Sequence, residues 1–403
     1  MSERALADNP LLQQFATNAA TLPGAGTPWL DTRRADAIRL VRKNGIPNRR
    51  VETWKYSDLR NAVPDGFVGT ICWKLDGPTD AVELFDLGML GSETPDWVMQ
   101  HLGTVVASRG TLDAASLALA RTGLAIRIPS GTALQAPLKI AYSGGGHARM
   151  LFVVEAGASA TIMEINRGEA SNSCNIGVEI VVNRGAQCTH VNFEEAADSA
   201  TRVTVEEISV EVMEGGQYRG HYFGLGSKLA RVEVGIVLSG AGAQAHLSGT
   251  GVLHGERHYD VSTHVNHAVR DTRSTQLFKN IAAGHSRVIY QGKVTVREGA
   301  IGSDSSQTAK ALLIGDRAEA DLKPELEILT DDVKCSHGAA VGDLDADSLF
   351  YLRSRGIPEG HARTMLVRAF LEEAVEKIEN EDVRTAAWQF VERGLAEAMK
   401  IYP

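Results

Sequence analysis

The segment Val232-Glu-Val-Gly-Ile-Val-Leu238, followed by Ser-Gly-Ala-Gly242-Ala243, decides the fold of this chain. Its apolar residues occupy every second position, as in a β-strand with one buried face, and a glycine turn follows. The same alternation recurs between residues 121 and 343 and indicates a mainly β body. The clearest further runs have their alternating residues at Leu124/Ile126/Ile128, Leu138/Ile140/Tyr142, Ile176/Val178/Ile180/Val182 and Tyr259/Val261/Thr263/Val265.

Turn-like glycine pairs return along this body at a nearly constant interval. Gly157, Gly185, Gly215 and Gly242 each open such a pair, and the intervals between them are 28, 30 and 27 residues. A near-constant period that contains strands indicates stacked turns of a β-architecture. Helical patterns do not intervene, so βαβ units are excluded. The sequence therefore predicts a parallel β-helix.

Helical patterns flank the β body on both sides. On the N-terminal side, Asp31 opens an amphipathic stretch with basic residues in its last turn, and Gly45-Ile46-Pro47 ends it. We expect three regions: an N-terminal helical region over residues 1–75, a β-helix core over 76–343 and a C-terminal helical domain over 344–403.

The C-terminal region predicts helices that pack against the β-stack. Asp345 or Asp347 can cap the first helix, which ends at Gly356. Residues 361–378 and 381–401 predict two further amphipathic helices. We expect this helical hairpin to cover the open end of the stack. The predicted inward stripes are Met365, Leu366, Ala369, Phe370, Ala374 and Ile378 in one helix, and Ala387, Phe390, Val391 and Leu395 in the other.

Cys335 and His337 form the clearest candidate metal site. They are two positions apart, so in a strand their side chains point to the same side. A thiolate and an imidazole are ligands for zinc, iron or an iron–sulfur cluster, but two ligands do not complete a site. The remaining ligands would come from elsewhere in the fold or from a second chain. On its own, a Cys-x-His pair is more often structural than functional.

Two other groups of residues admit a metal interpretation. Glu319, Asp321, Glu325 and Glu327 share one face of a predicted strand, where they could attract Fe²⁺ or serve as an acid/base pair. A solvated face, balanced by Lys323, is the alternative. The second group is the histidine run, which structural or solvated histidines also explain; its members are His246, His254, His258, His264 and His267.

Composition and motifs exclude several classes of function. The net charge of −9 argues against binding to nucleic acid or to an anionic membrane surface. The four cysteines are scattered, with no C-x-x-C, as in a reduced cytoplasmic protein that holds no permanent cluster by itself. No phosphate-binding loop and no nucleophile elbow is present. We also predict a cytoplasmic location because the N-terminus lacks an apolar signal segment.

Five blocks of the sequence, taken in order, resemble the SufB/SufD family of iron–sulfur cluster assembly proteins, and the first block favours the SufD branch. The blocks are residues 49–59, 264–296, 311–326, 331–339 and 350–357. The resemblance implies a right-handed parallel β-helix flanked by α-helical segments. It also implies a non-catalytic scaffold that pairs with a homologous β-helix subunit and docks an ABC-type ATPase.

The resemblance assigns expected roles to particular residues. The strand that carries His337 would lie at the interface between two β-helix subunits, where a transient cluster or iron is shared with the partner, and Cys335 would assist. The C-terminal helices would dock the ATPase, with Phe350, Tyr351, Arg353 and Arg355 as the first contacts to test. An isolated chain could pair with itself as a homodimer. Two other classes stay open: a β-helical carbohydrate-active enzyme and a purely structural interaction module.

Overall fold

The chain folds into a β-solenoid of about seven turns, flanked by helices. The computed structural model describes residues 9–105, 110–168, 173–196 and 201–401. The predicted fold class, mainly β with helical segments at both ends, is confirmed. No helix in the described ranges is long and apolar enough to cross a membrane.

From β3 onward the strands alternate between two sheets, and the helices lie before and after most of them. The strands are β1 (Ile71–Asp76), β2 (Glu83–Asp86), β3 (Thr122–Ile128), β4 (Leu138–Gly144), β5 (Gly146–Val154), β6 (Ser159–Gly168), β7 (Cys174–Val182), β8 (Gln187–Ala196), β9 (Val203–Val212), β10 (Gln217–Gly224), β11 (Leu229–Leu238), β12 (Gln244–Leu253), β13 (His258–His267), β14 (Arg273–Ala283), β15 (Arg287–Val296), β16 (Asp304–Ile314), β17 (Glu319–Ile328) and β18 (Lys334–Gly342). The α-helices are α1 (Pro10–Asn18), α2 (Pro28–Asn44), α3 (Leu59–Ala62), α4 (Asp96–His101), α5 (Thr111–Leu119), α6 (Ala346–Ser354), α7 (Glu359–Val375) and α8 (Glu381–Ala398). Short 3₁₀ segments cover Ala19–Thr21, Glu52–Trp54, Thr79–Ala81, Leu87–Met89 and Met399–Ile401.

Each turn of the solenoid adds one strand to each sheet. The first sheet has the order β1-β4-β6-β8-β10-β12-β14-β16-β18, and the second has the order β17-β15-β13-β11-β9-β7-β5-β3-β2. All neighbouring pairs are parallel except β1 with β4 and β2 with β3, which are antiparallel. The two antiparallel strands therefore close the beginning of the stack, whereas β17 and β18 end it.

The glycine intervals set the strand register. Ser159 of β6 pairs with Gln187 of β8, which pairs with Gln217 of β10 and then Gln244 of β12, in steps of 28, 30 and 27 residues. The four turn glycines all have positive φ, between 63° and 75°, which glycine adopts without a steric penalty. The predicted period is thus the length of one solenoid turn.

The period-two residues face the inside of the solenoid. Val232, Val234, Ile236 and Leu238 are fully buried, together with their counterparts in the neighbouring turns. Each inward side chain contacts the one above and the one below it, because parallel pairing keeps equivalent positions in register. This interior row is the largest apolar cluster of the protein.

The N-terminal helices cover the outer face of the second sheet. Helix α5 is buried along its whole length and packs against β5 and β7. A buried ion pair fixes it there: Arg149 on β5 contacts Asp113 of α5, and its Nε donates a 2.8 Å hydrogen bond to Glu179 on β7. The structure thus places α4 and α5 inside the range 76–343 that the sequence assigned to the β-helix core.

The C-terminal hairpin, α7 and α8, covers the outer face of the first sheet. Both helices pack on β12, and the hydroxyl of Ser248 on that strand donates a 3.0 Å hydrogen bond to the carbonyl of Ala374. The prediction that the hairpin covers the open end of the stack is therefore wrong. The amphipathic pattern identified the helices but could not tell which apolar surface they cover.

The inward stripe of α7 also differs from the prediction. Ala374 and Ile378 are buried as predicted, but Met365 and Ala369 are exposed, and Val367 and Leu371 are fully buried in their place. The stripe of α8 is as predicted, since Ala387, Phe390, Val391 and Leu395 are all buried. Asp345 caps α6 through a 2.7 Å bond from the Ser348 amide, and Gly356 ends that region with φ of 84°.

Arg149→Met should destabilise the protein strongly, because it leaves the carboxylates of Asp113 and Glu179 buried without their cation. Removing one partner of a buried ion pair costs about 3–5 kcal/mol. The free energy of unfolding in urea measures the loss. Arg127→Met is the matched control, since Arg127 forms an exposed pair with Glu83 and a half-buried pair with Glu155. A loss in Arg149→Met no larger than in this control would contradict the prediction.

A polar cluster lies inside the solenoid among the apolar rows. The carboxylate of Glu206 on β9 accepts hydrogen bonds from the side-chain amides of Asn166 (2.8 Å) and Asn192. Burial and the nearby Glu164 carboxylate together raise the pKa of Glu206 to about 7, although the two amide hydrogen bonds oppose the shift. The native state therefore keeps a proton on Glu206 at pH values where the unfolded chain has lost it.

This proton makes folding stability depend on pH. Between about pH 4.5 and 7, Glu206 binds more protons in the native state than in the unfolded state, so its contribution to stability falls as pH rises and is lost above 7. The loss is on the order of 3 kcal/mol. Glu206→Gln should remove this contribution, so that stability falls less with rising pH than in the original chain, measured by urea unfolding from pH 5 to 8. The exposed Glu214→Gln is the control and should retain it; an unchanged slope in Glu206→Gln would show that another group is responsible.

Candidate functional site

The candidate site lies at the end of the solenoid formed by β17 and β18. Each of these strands pairs with only one neighbour, β15 or β16, and among the described residues no strand pairs with their outer edges. Most of β18 is exposed, although half of its side chains have the inward orientation. The stack therefore ends with an uncovered turn.

Cys335 and His337 lie on β18 and share its inward face, as the sequence predicted. Cys335 pairs with Ser305 and His337 with Gln307, and both of these β16 residues are buried inside the solenoid. The inward face of β18 has no further turn above it, so His337 is exposed and Cys335 is half buried. No cluster of three His, Cys, Asp or Glu residues with metal-ligand geometry occurs in the described ranges.

The Cys335 thiol lies at the edge of a small apolar cluster. Val294, Val296 and Ala300 form this cluster, and Leu326 packs against it. Burial raises the pKa of the Cys335 thiol, and the Asp304 carboxylate adds to the effect. The thiol is therefore protonated at neutral pH, and it becomes a thiolate ligand only when a metal ion or a cation displaces the proton.

Apolar side chains are exposed around this pair. Ile328 and Leu329 at the end of β17 are 44% and 48% exposed, and Val341 on β18 is 46% exposed. Ile328 and Val341 have the inward orientation, so a further turn would bury them. Pro324 lies in the middle of β17, and Pro is confined to edge positions within sheets. These apolar residues were not singled out from the sequence, because their exposure depends on where the stack ends.

The acidic row of β17 faces outward and is neutralised by cations. Arg287 on β15 pairs with Asp321 (2.6 Å) and Glu319 (3.3 Å), and Lys293 pairs with Glu327 (2.8 Å). Lys323 pairs with Glu325 at 3.1 Å. Each carboxylate of the row therefore has a basic partner, as the solvated-face interpretation expects.

The histidine run forms hydrogen bonds with hydroxyl groups. His246 lies 2.9 Å from Thr275 Oγ1, His264 lies 3.1 Å from Thr295 Oγ1, and His267 lies 2.8 Å from Thr272 Oγ1. Burial lowers the pKa of His267 to about 4. These geometries favour a structural role for the run over a metal role.

A row of polar side chains inside the solenoid leads to His337. Gln307 Nε2 donates to the Tyr290 hydroxyl (3.0 Å), which donates to Gln276 Oε1 (3.0 Å). Gln307 Oε1 is buried without a hydrogen-bond partner among the described residues. His337 is the next position in register, so the row extends to the open end. No sequence pattern identifies this row, because Gln276, Tyr290 and Gln307 come from three strands of two sheets.

Helix α6 carries the residues predicted to contact a partner. Phe350 is 72% exposed and Tyr351 is 56% exposed, and no residue of α6 is buried. Arg355 stacks over the Tyr351 ring at 5.1 Å, and Arg353 pairs with Glu359 at 3.3 Å. These four side chains thus form an aromatic and basic surface that packs against no core.

A family model described as "SUF system FeS cluster assembly, SufBD core domain" matches residues 140–370. This range covers the solenoid from β4 through β18 and extends into α7. It includes Cys335, His337 and the exposed residues of α6. The match therefore covers both surfaces described above.

Several curated proteins are similar to this chain over most of its length. It is 27% identical to "Iron-sulfur cluster assembly protein SufD" of Escherichia coli, over 86% of this chain and 89% of that protein. It is 26% identical to "Iron-sulfur cluster assembly SufBD family protein slr0076" of Synechocystis, over 91% of both chains. It is 27% identical to "Protein ABCI7, chloroplastic" of Arabidopsis thaliana, over 94% of this chain and 85% of that protein.

Proposed function

We propose a function from one premise: this chain belongs to the SufBD family of the SUF iron–sulfur cluster assembly system. On that premise, it acts as a non-catalytic cytoplasmic scaffold subunit. Its open solenoid end pairs with a homologous β-helix subunit, its helix α6 docks an ABC-type ATPase, and the joint between the two solenoids holds iron or a nascent cluster for a time. The observation that carries this proposal is the uncovered last turn.

Pairing at the open end is supported by unsatisfied groups of two kinds. An unpaired strand edge offers backbone donors and acceptors to another chain. Exposed inward residues such as Ile328 and Val341 offer apolar area that a second solenoid would bury. Repeat proteins require a cap at each end for solubility, and a homologous subunit with the same strand spacing would supply one.

The metal role is supported by the position of Cys335 and His337 on that same edge. A thiol and an imidazole on one strand face supply two ligands of borderline softness, which suits iron and iron–sulfur clusters. The raised pKa of the Cys335 thiol means that it binds metal only with loss of its proton. Such a half-site holds a cluster transiently, once the partner provides the other ligands.

ATPase docking is supported by the exposure of α6. Aromatic and arginine side chains dominate the binding energy of protein interfaces. Phe350 and Tyr351 project from a helix whose main packing partner among the described residues is α7. No other role for their exposure follows from the fold.

His337→Ala should lower the iron and acid-labile sulfide content of the purified complex. The change removes an imidazole ligand. Even the loss of a group that only hydrogen-bonds to a ligand lowers metal affinity about 10- to 100-fold, so the loss of the ligand itself should be at least as large. The complex is assembled from this chain, its homologous subunit and the ATPase, and iron and sulfide are measured per complex. His361→Ala is the control, because His361 is exposed on α7, away from β18.

Size-exclusion chromatography of the same samples separates assembly from metal binding. An intact His337→Ala complex with undiminished iron and sulfide would contradict the metal role and support a purely structural interaction module.

Phe350→Ala combined with Tyr351→Ala should weaken binding to the ATPase subunit by about 10- to 100-fold, since two exposed aromatic anchors are removed. Titration calorimetry with the purified ATPase measures the affinity. Met365→Ala is the control, because Met365 is an exposed apolar residue of the neighbouring helix. Equal affinity in the double variant and the control would place the docking surface elsewhere.

A further inference from the structure

A cavity of about 430 Å³ lies between the N-terminal block and the second sheet. Residues 49–62 of the block form one wall, and residues at the starts of β11, β13 and β15 form the other. The volume falls in the range of small-molecule pockets. It lies on the outer face of the solenoid, and the inference drawn from it does not depend on the proposed scaffold function.

Three cations line this cavity. Arg49 comes from the N-terminal block, Lys228 precedes β11 and Arg287 begins β15. Neither Arg49 nor Lys228 forms an ion pair with a carboxylate in the described ranges. The Lys228 ammonium group donates to the carbonyl of Ala62 at 3.3 Å, which holds it at the rim. Two positive charges thus lie in the cavity wall without an ion pair in the described ranges, Asp58 is the carboxylate that lines the same wall, and the third cation pairs with Asp321 and Glu319.

The floor of the cavity is a hydrogen-bonded group that joins Ser57 and His258 to the buried carboxylate of Asp260. The Ser57 hydroxyl donates a 2.6 Å hydrogen bond to Asp260 Oδ2. His258 Nε2 lies 2.9 Å from Ser57 Oγ, so this nitrogen carries a proton and donates it to the hydroxyl oxygen. Burial lowers the pKa of His258 to about 4; Asp260 opposes the shift, and the fields of Arg287, Arg231 and Arg49 add to it. His258 is therefore neutral at pH 7.

This Ser/His/Asp group does not have the geometry of a catalytic triad. In a triad the imidazole lies between the hydroxyl and the carboxylate, whereas here the Ser57 hydroxyl lies between His258 and Asp260. The Ser57 hydroxyl donates its hydrogen to Asp260 and not to the imidazole, so His258 does not act as a base that activates Ser57 as a nucleophile. The arrangement is suited to binding.

One carboxylate oxygen of the wall is left without a partner. Asp58 Oδ1 is buried and has no hydrogen bond among the described residues. A buried acceptor of this kind favours a ligand that brings an O–H or N–H donor. The cavity therefore combines a positive rim for an anion with one acceptor for a hydroxyl.

We propose that this cavity binds a phosphate group that carries or adjoins a hydroxyl, as in hydrogen phosphate or a small phosphate monoester. Arg49, Lys228 and Arg287 contact the anionic oxygens, because charge-assisted hydrogen bonds to phosphate are the strongest available to these side chains. Tyr56, which also lines the cavity, brings a neutral hydroxyl donor. The hydroxyl of the ligand donates to Asp58.

The test measures binding of inorganic phosphate and of glycerol 3-phosphate to the full chain by titration calorimetry. Sodium chloride at matched ionic strength is the reference. Arg49→Gln and Lys228→Gln should each raise the dissociation constant about tenfold, since each removes one charge-assisted contact. Arg50→Gln is the matched control: it removes the same charge one position away, from a side chain that does not line the cavity.

The two probes distinguish the sources of phosphate. Tighter binding of glycerol 3-phosphate identifies an ester, and equal binding identifies free phosphate; both results support the site if Arg50→Gln stays within twofold of the original chain. No saturable binding of either probe, or an equal loss in Arg50→Gln and Arg49→Gln, overturns the proposal. Unfolding midpoints without ligand show that the variants are folded.

Discussion

Parallel in-register stacking is the constraint on which the rest of this structure depends. Each inward side chain is buried only because an equivalent side chain lies one turn above and one turn below it. In a stack of this kind, each internal turn is buried by its two neighbours, whereas the first and last turns each lack one neighbour. Antiparallel strands β1 and β2 complete the beginning, and helices complete both outer faces. Among the described strands, the last turn is left without a covering neighbour, and Cys335 and His337 lie there.

The repeat itself could be predicted from the sequence because the interior tolerates little besides the period-two pattern. Glycines at positive φ marked the turns, and their intervals equal the pairing steps. The outer faces could not be predicted in the same way. Glu179 has the polarity of a solvent-facing residue, yet it is fully buried against Arg149. Its partner lies 30 residues away, and only the stacking brings the two together.

The candidate site shows the same division. The shared face of Cys335 and His337 followed from their spacing, because side-chain direction in a strand is local. Their exposure did not, because it depends on the path of the chain after β18. The hairpin that could have covered them packs on the face of the first sheet, where Val367 and Leu371 meet a larger apolar surface. Amphipathic spacing identifies an apolar stripe but not the surface that receives it.

The proline in β17 makes the two free edges unequal. The amides of Glu319 and Leu329 point toward the preceding turn, where they bond to Ser286 and Val296. Backbone groups alternate in direction along a strand, so the missing amide of Pro324 falls on the free side and interrupts its row of donors. The Lys334 amide of β18 donates to the Ser303 carbonyl of the preceding turn. Because backbone groups alternate in direction, the amides of Cys335 and His337 point toward the free edge of the sheet. A continuous ladder with an incoming strand can therefore form along β18 but not along β17, and it would run beside the thiol and the imidazole.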